Sequence, residues 1–201
     1  MNCDLVVAGV GGQGIILASR VVSHAAIAAG MEVRTSEVLG MAQREGPVTS
    51  QVRIGHNLFG AMIPAGRADI LLGFELAETV RNLYMLKPGG TVVTASTMIV
   101  PTTVGLGLST YDRQAILEYL HRAAENPVVL DAEQLAREAG HPRTLNSVLL
   151  GALAALEKLP IPADALRETL LSTVKPALRG VNETAFDLGY RSLARAEAGG
   201  Q

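Results

Sequence analysis

The chain alternates between short, wholly apolar runs and longer amphipathic ones. Residues 4–9 (Asp-Leu-Val-Val-Ala-Gly) form the first apolar run and read as a buried strand. Residues 14–29 follow at once with helical periodicity, placing Ile15, Ile16, Ala18, Val21, Val22 and Ala25 on one face. Gly30 stands where a helix-ending glycine belongs, and residues 31–36 read as a second strand. Residues 48–55 alternate like a half-exposed strand. His56-Asn57 suggests a turn, with residues 58–63 returning as the second arm of a hairpin.

The strand–helix rhythm then resumes. Strands are expected at 69–74, 91–95 and 127–130, and helices at 75–87, 112–125 and 131–139. Pro88-Gly89-Gly90 stops the first of these helices, and Asp131 is suited to cap the last. From residue 144 the pattern is helical throughout, in segments near 144–158, 163–174 and 182–197, with a loose tail from 198. Strands alternating with helices predict an α/β fold. The expected architecture is a Rossmann-like wound, mostly parallel sheet with an inserted β-hairpin and a helical C-terminal region. With 201 residues and no internal repeat, residues 1–201 read as a single domain.

The first strand runs into Gly9-Val10-Gly11-Gly12-Gln13-Gly14. Glycines at a strand-to-helix junction allow a tight turn and close approach of backbone N–H groups. The helix start adds partial positive charge, so a phosphate or carboxylate is the natural guest. Gly9, Gly11, Gly12 and Gly14 are thus candidate cofactor-binding residues, and Gln13 adds an amide. The competing reading is close strand–helix packing, with Gln13 fixing its own loop. A dinucleotide site also wants an acid at the end of the second strand, and Glu37 is the candidate. An irregular loop, not a helix, follows it.

That loop, residues 37–47, holds Gln43 and Arg44, and Arg53 follows in the next strand. Arginine suits bidentate contact with carboxylate or phosphate, and a structural ion pair is the alternative for each. Glu75 ends a strand at the carboxyl edge, where wound sheets bind ligands, and could equally favour a helix N-terminus. Asn146 and Asn182 stand near helix starts and read as caps.

Charge and composition narrow the classes. A net charge of −2 gives no basic surface for nucleic acid or membrane. No apolar run reaches the roughly 18 residues of a membrane span, and the chain reads as cytoplasmic. The single cysteine, Cys3, excludes an internal disulfide and a cluster held by this chain's own thiolates. The four histidines are scattered without metal-ligand spacing. No nucleophile elbow, phosphate loop or acid/base pair is visible, so no catalytic residue is assigned. A domain that helps hold something fits better than one that does the hard chemistry alone.

These motifs together resemble the gamma-type domain of 2-oxoacid:ferredoxin oxidoreductases. The resemblance rests on Gly9 to Gly14, the run from Glu37 to Val48 with Gly40-Met41-Ala42-Gln43-Arg44, Val52 to Gly55, Ala68 to Glu75, and Asn146 to Gly151. It covers nearly the whole chain and is nearest the branch acting on aryl pyruvates. Leu39 and Glu45-Gly46 stand where the family often has His and Gly-Gly, and Glu45 adds a negative charge beside Arg44.

The resemblance implies a subunit inactive alone, with no cofactor of its own. Thiamine diphosphate and iron–sulfur clusters would lie in a larger alpha-type partner. The complex would convert a 2-oxoacid to an acyl-coenzyme A and reduce ferredoxin, with coenzyme A as co-substrate. A homo-oligomer is compatible with the chain in isolation. The alternatives from other classes are a self-sufficient NAD(P)-binding oxidoreductase and a nucleotide-binding regulatory module.

Overall fold

A computed structural model describes residues 2–40 and 46–198. Six strands form one sheet in the order β2-β3-β1-β4-β5-β6. They are β1 (Cys3–Val10), β2 (Glu32–Leu39), β3 (Pro47–Gly55), β4 (Ala68–Gly73), β5 (Leu86–Ala95) and β6 (Val128–Leu130). β1, β4, β5 and β6 run parallel, as their apolar character predicts for strands covered on both faces.

Helix α1 (Ile15–Ala28) crosses from β1 to β2, but the two strands are not neighbours. β3 slots between them, antiparallel to both. The inserted hairpin is therefore β2–β3, and residues 58–63 form no strand. Their backbone is held by β3 side chains instead of a ladder. Ile63 N donates to Gln51 Oε1 at 2.6 Å, and the Arg53 guanidinium donates to the Phe59 and Met62 carbonyls at 2.9 and 3.4 Å.

Helices cover both faces. Leu5 and Val7 of β1 face α1, α5 (Ala132–Glu138), α6 (Leu145–Ala155), α7 (Ala163–Thr173) and α8 (Arg179–Ala198). Val6 and Ala8 face the smaller layer of α2 (Leu76–Arg81) and α4 (Arg113–Ala123). Every residue of α6 is buried, which explains its lack of a polar face.

The helix expected at 75–87 ends early. Asn82 donates its amide N–H and its side-chain Nδ2 to the Glu78 carbonyl, and a short 3-10 turn leads into β5 at Leu86. Pro88-Gly89-Gly90 thus lies inside β5, where the β4–β5 register shifts. A short helix, α3 (Thr102–Gly105), was not expected; it sits in the long segment between β5 and α4.

Asn182 is not a cap. It accepts from Ser147 Oγ at 2.6 Å and donates to the Leu178 carbonyl at 2.7 Å, tying α8 to α6.

Cys3 is 1% exposed, and burial, reinforced by Asp69 and Asp4, pushes its thiol up to about 12. A thiolate is the reactive form, so the native thiol should resist disulfide reagents at pH 8. One equivalent should react after denaturation; rapid labelling of the folded chain would contradict this burial.

Candidate functional site

The glycine turn lies at the carboxyl ends of the parallel strands. Gly12 and Gly14 adopt φ of +99° and +90°, a left-handed backbone that disfavours a side chain. At Gly9 an added Cβ would sit 2.7 Å from Phe74 Cβ. Gly11 N donates to the Gly46 carbonyl at 2.9 Å, anchoring the end of the loop that holds Gln43 and Arg44. Those two residues lie outside the described ones.

Gln13 turns inward. Its Oε1 accepts from Val10 N at 2.8 Å, and its Nε2 donates to the Phe74 carbonyl at 2.9 Å. The amide staples the end of β1 to the end of β4, with one bond at its oxygen and one at its nitrogen made within the chain.

Glu75 is likewise committed. Its carboxylate caps α2 by accepting from Glu78 N at 2.8 Å, and it also accepts from Ile99 N at 3.3 Å and from the Tyr111 hydroxyl. One carboxylate therefore ties residues 99–111 across the edge of a cavity of about 440 Å³. Burial raises the pKa of the Tyr111 hydroxyl, and the Glu75 carboxylate adds to the effect.

Glu78 lines the same cavity and pairs with Arg81. Burial raises its carboxyl above the ordinary 4.5, with Arg81 opposing. The native state thus binds this proton more tightly than the unfolded chain. The resulting stability is present at low pH and declines as pH rises through and above 4.5. Glu78→Gln should remove that part of the decline. Urea midpoints from pH 4 to 7 test it, and parallel profiles for the two proteins would count against it.

Two sequence candidates lie elsewhere. Arg53 is opposite Asp4, at the amino end of β1, where Nε and Nη2 contact the carboxylate at 2.9 and 3.2 Å. At about 3.3 Å per residue, the length of β1 separates it from the glycine turn. It is a structural ion pair. Glu37 stands on β2, and β3 separates that strand from β1. An acid positioned for a ribose would sit on the neighbouring strand, so the insertion of β3 removes the geometry the dinucleotide reading needed.

Beside the turn lies a cavity of about 600 Å³, lined by Gly12, Gln13, Gly14, Leu17, Thr97, Ile99, Glu133, Arg137, Pro142, Arg143, Leu145 and Asn146. Asn146 does not cap α6. Its side chain packs against Gly14, where an added Cβ would meet Nδ2 at 3.2 Å. Its Oδ1 and the Thr97 Oγ1 are buried with no hydrogen-bond partner among the described residues. Sequence reasoning missed Thr97, Arg143 and Tyr111. A polar pair, Asn146-Ser147, opening an otherwise apolar helix was the one legible signal.

The chain matches the pyruvate ferredoxin/flavodoxin oxidoreductase family over residues 4–192. It belongs to that family. An indolepyruvate oxidoreductase subunit IorB from Pyrococcus horikoshii is 42% identical over 194 residues, covering 94% of this chain and 95% of that one. The gamma subunit of a keto/oxoacid ferredoxin oxidoreductase from Geobacter sulfurreducens shares the fold with a TM-score of 0.71 and 24% identity, covering 96% of this chain and 99% of that one. A 2-oxoglutarate:ferredoxin oxidoreductase from Magnetococcus marinus, solved with 2-oxoglutarate, coenzyme A and succinyl-CoA bound, gives 0.68 and 26% identity. That match covers 97% of this chain and 31% of the longer one. Within this oxidoreductase family chain, the glycine turn, Gly46 and the cavity share one edge of the sheet.

Proposed function

We propose that this chain is the small subunit of an indolepyruvate:ferredoxin oxidoreductase and works with a larger subunit that bears thiamine diphosphate and iron–sulfur clusters. The observation that carries this reading is near-full-length similarity, at 42% identity, to an indolepyruvate oxidoreductase subunit. A single buried cysteine, which cannot hold a cluster alone, is consistent with redox centres in a partner. In the assembled enzyme those cofactors would decarboxylate the 2-oxoacid oxidatively, pass its electrons to ferredoxin and release the acyl group to coenzyme A.

In this reading the small subunit completes the site and carries no catalytic residue. The turn at Gly9, Gly11, Gly12 and Gly14 faces the coenzyme or the partner, and Gln43 and Arg44, outside the described residues, are proposed as cofactor-binding with it. Gln13 and Glu75 hold that edge in shape. The setting is the cytoplasm; no helix among the described residues is long and apolar enough to cross a membrane.

The isolated chain should reduce no ferredoxin with any 2-oxoacid. Reconstituted with its partner, it should reduce ferredoxin with indolepyruvate in a reaction that requires coenzyme A. Failure of the reconstituted pair to turn over any 2-oxoacid would sink the reading.

A further inference from the structure

The sheet ends at β2, and nothing among the described residues pairs with its outer edge. The hydrogen bonds identify the backbone groups that lie there. Gly11 N donates to the Gly46 carbonyl at 2.9 Å, and Gly40 N donates to the Pro47 carbonyl at 2.8 Å. Bonded and non-bonded pairs alternate along an antiparallel ladder. In the observed register the even-numbered residues of β2 therefore bond β3. Val33, Thr35, Glu37 and Leu39 turn their N–H and C=O groups outward. Among the described residues only the Arg34 guanidinium meets one of these groups, at 3.3 Å from the Val33 carbonyl.

Folded chains commonly guard a sheet edge by brevity, proline, lysine or a bulge. β2 has none of these: it is eight residues long, Glu-Val-Arg-Thr-Ser-Glu-Val-Leu, and pairs with β3 without a register shift. The face beside the edge is also uncovered. The smaller helical layer buries side chains of β1, β4 and β5 but none of β2. Residues 57–62 run along β2 instead. Asn57 N and Leu58 N donate to the Glu32 carboxylate at one end, and Ser36 Oγ meets Met62 Sδ at the other. Phe59 (88%), Met62 (59%) and Val38 (52%) are left exposed in one strip beside the free edge.

β2 is itself the kind of strand this edge fits. Residues opposite each other across an antiparallel seam point to the same face, so a two-fold axis must pass through one residue, not between two. An axis at Arg34 or Glu37 sets like charges opposite one another, which is unfavourable. An axis at Val33 sets Glu32 opposite the partner's Arg34 but carries residues 36–39 past the start of the partner strand. An axis at Thr35 sets Val33 opposite the partner's Glu37. An axis at Ser36 gives complementary pairs along the seam. Thr35 stands opposite the partner's Glu37, a hydroxyl donor to a carboxylate, and the stem of Arg34 covers the partner's Val38, with Phe59 and Met62 alongside. The net charge of −2 leaves little to keep two copies apart.

We propose that β2 is a self-association surface: a second copy of this chain pairs antiparallel with it about a two-fold axis at Ser36, continuing the six-stranded sheet across two protomers. β3 separates this edge from β1 and its glycine turn, so the proposal stands apart from the subunit reading.

Sedimentation of the full chain over a range of concentrations should show a monomer–dimer equilibrium. Thr35→Pro removes an outward N–H that the β2–β3 ladder does not use. It should weaken the dimer by about tenfold or more and leave the melting temperature of the dilute chain unchanged. Met62→Lys, at an exposed position, should weaken the dimer as well. Ser36→Cys reads the register. Across a non-bonded antiparallel pair the Cα atoms stand about 4.5 Å apart, within reach of a disulfide. Mild oxidation should therefore link this variant into dimers, while Val38→Cys, whose thiols the same axis holds about 13 Å apart along the strand, should not link. The native Cys3 is buried and adds no cross-link.

A monomer at every concentration, a dimer indifferent to Thr35→Pro, or equal cross-linking of Ser36→Cys and Val38→Cys would overturn the proposal. If the chain alone stayed monomeric and Thr35→Pro blocked its association with the larger subunit, the edge would belong to that partner and self-association would fall.

Discussion

Alanine at Gly189 is expected to destabilise the chain by about 2 kcal/mol, although alanine is the better helix former by about 1 kcal/mol. Gly189 lies on α8 where it crosses α6. A Cβ there would overlap the Val148 carbonyl oxygen and stand 2.7 Å from the carbonyl carbon. Gly151 on α6 makes the reciprocal approach, overlapping the Phe186 carbonyl. These neighbours are backbone, so no rotamer change relieves the overlap, and the helices must separate. Separation loosens the most buried helix of the domain, α6. Gly189→Val should cost more, about 4 kcal/mol, because overpacking grows with volume. Gly180, on the same helix, has nothing within 4 Å of an added Cβ. Gly180→Ala should therefore be neutral or stabilising by up to about 1 kcal/mol. Urea midpoints with unchanged slopes would measure all three. Equal effects at Gly180 and Gly189 would refute the close crossing.

Loss of the Gln13 amide is expected to cost about 2 kcal/mol, since Gln13→Ala strands a donor, Val10 N, and an acceptor, the Phe74 carbonyl. Water from the adjoining cavity limits the loss. Gln13→Glu should not rescue it: the carboxylate still accepts from Val10 N but opposes the Phe74 carbonyl. Exchange of the Val10 amide should quicken in both variants, because the staple between β1 and β4 is gone. If Gln13 were instead a free ligand-reading amide, neither stability nor this exchange rate would change. The experiment thus decides between the two roles that the sequence left open.

Particular residues show why some of the site was legible and some was not. Gly12 and Gly14 could be identified because a left-handed turn needs glycine and the requirement is local. Glu75 was legible as a carboxyl-edge acid at a helix start. Its bonds to Ile99 and Tyr111, 24 and 36 residues onward, were not. Arg53 was misplaced for the same reason. Its type suits an anion, but the partner was Asp4, reached only through the β1–β3 register. Asn146 looked like a cap because it opens a helix, and only packing against Gly14 turns it toward a cavity.

The sequence by itself determined a buried strand at residues 4–9, a helix at 14–29, the glycine junction between them, the helical C-terminal region and a chain with a single thiol. Each follows from periodicity or residue chemistry over a few neighbours. The tertiary structure alone decided that β3 separates β2 from β1, that Gln13 and Glu75 are engaged within the chain, and that Thr97, Arg143 and Asn146 converge on one cavity. Strand order and side-chain convergence depend on contacts between distant segments, and local patterning carries no record of which distant segment will be the neighbour.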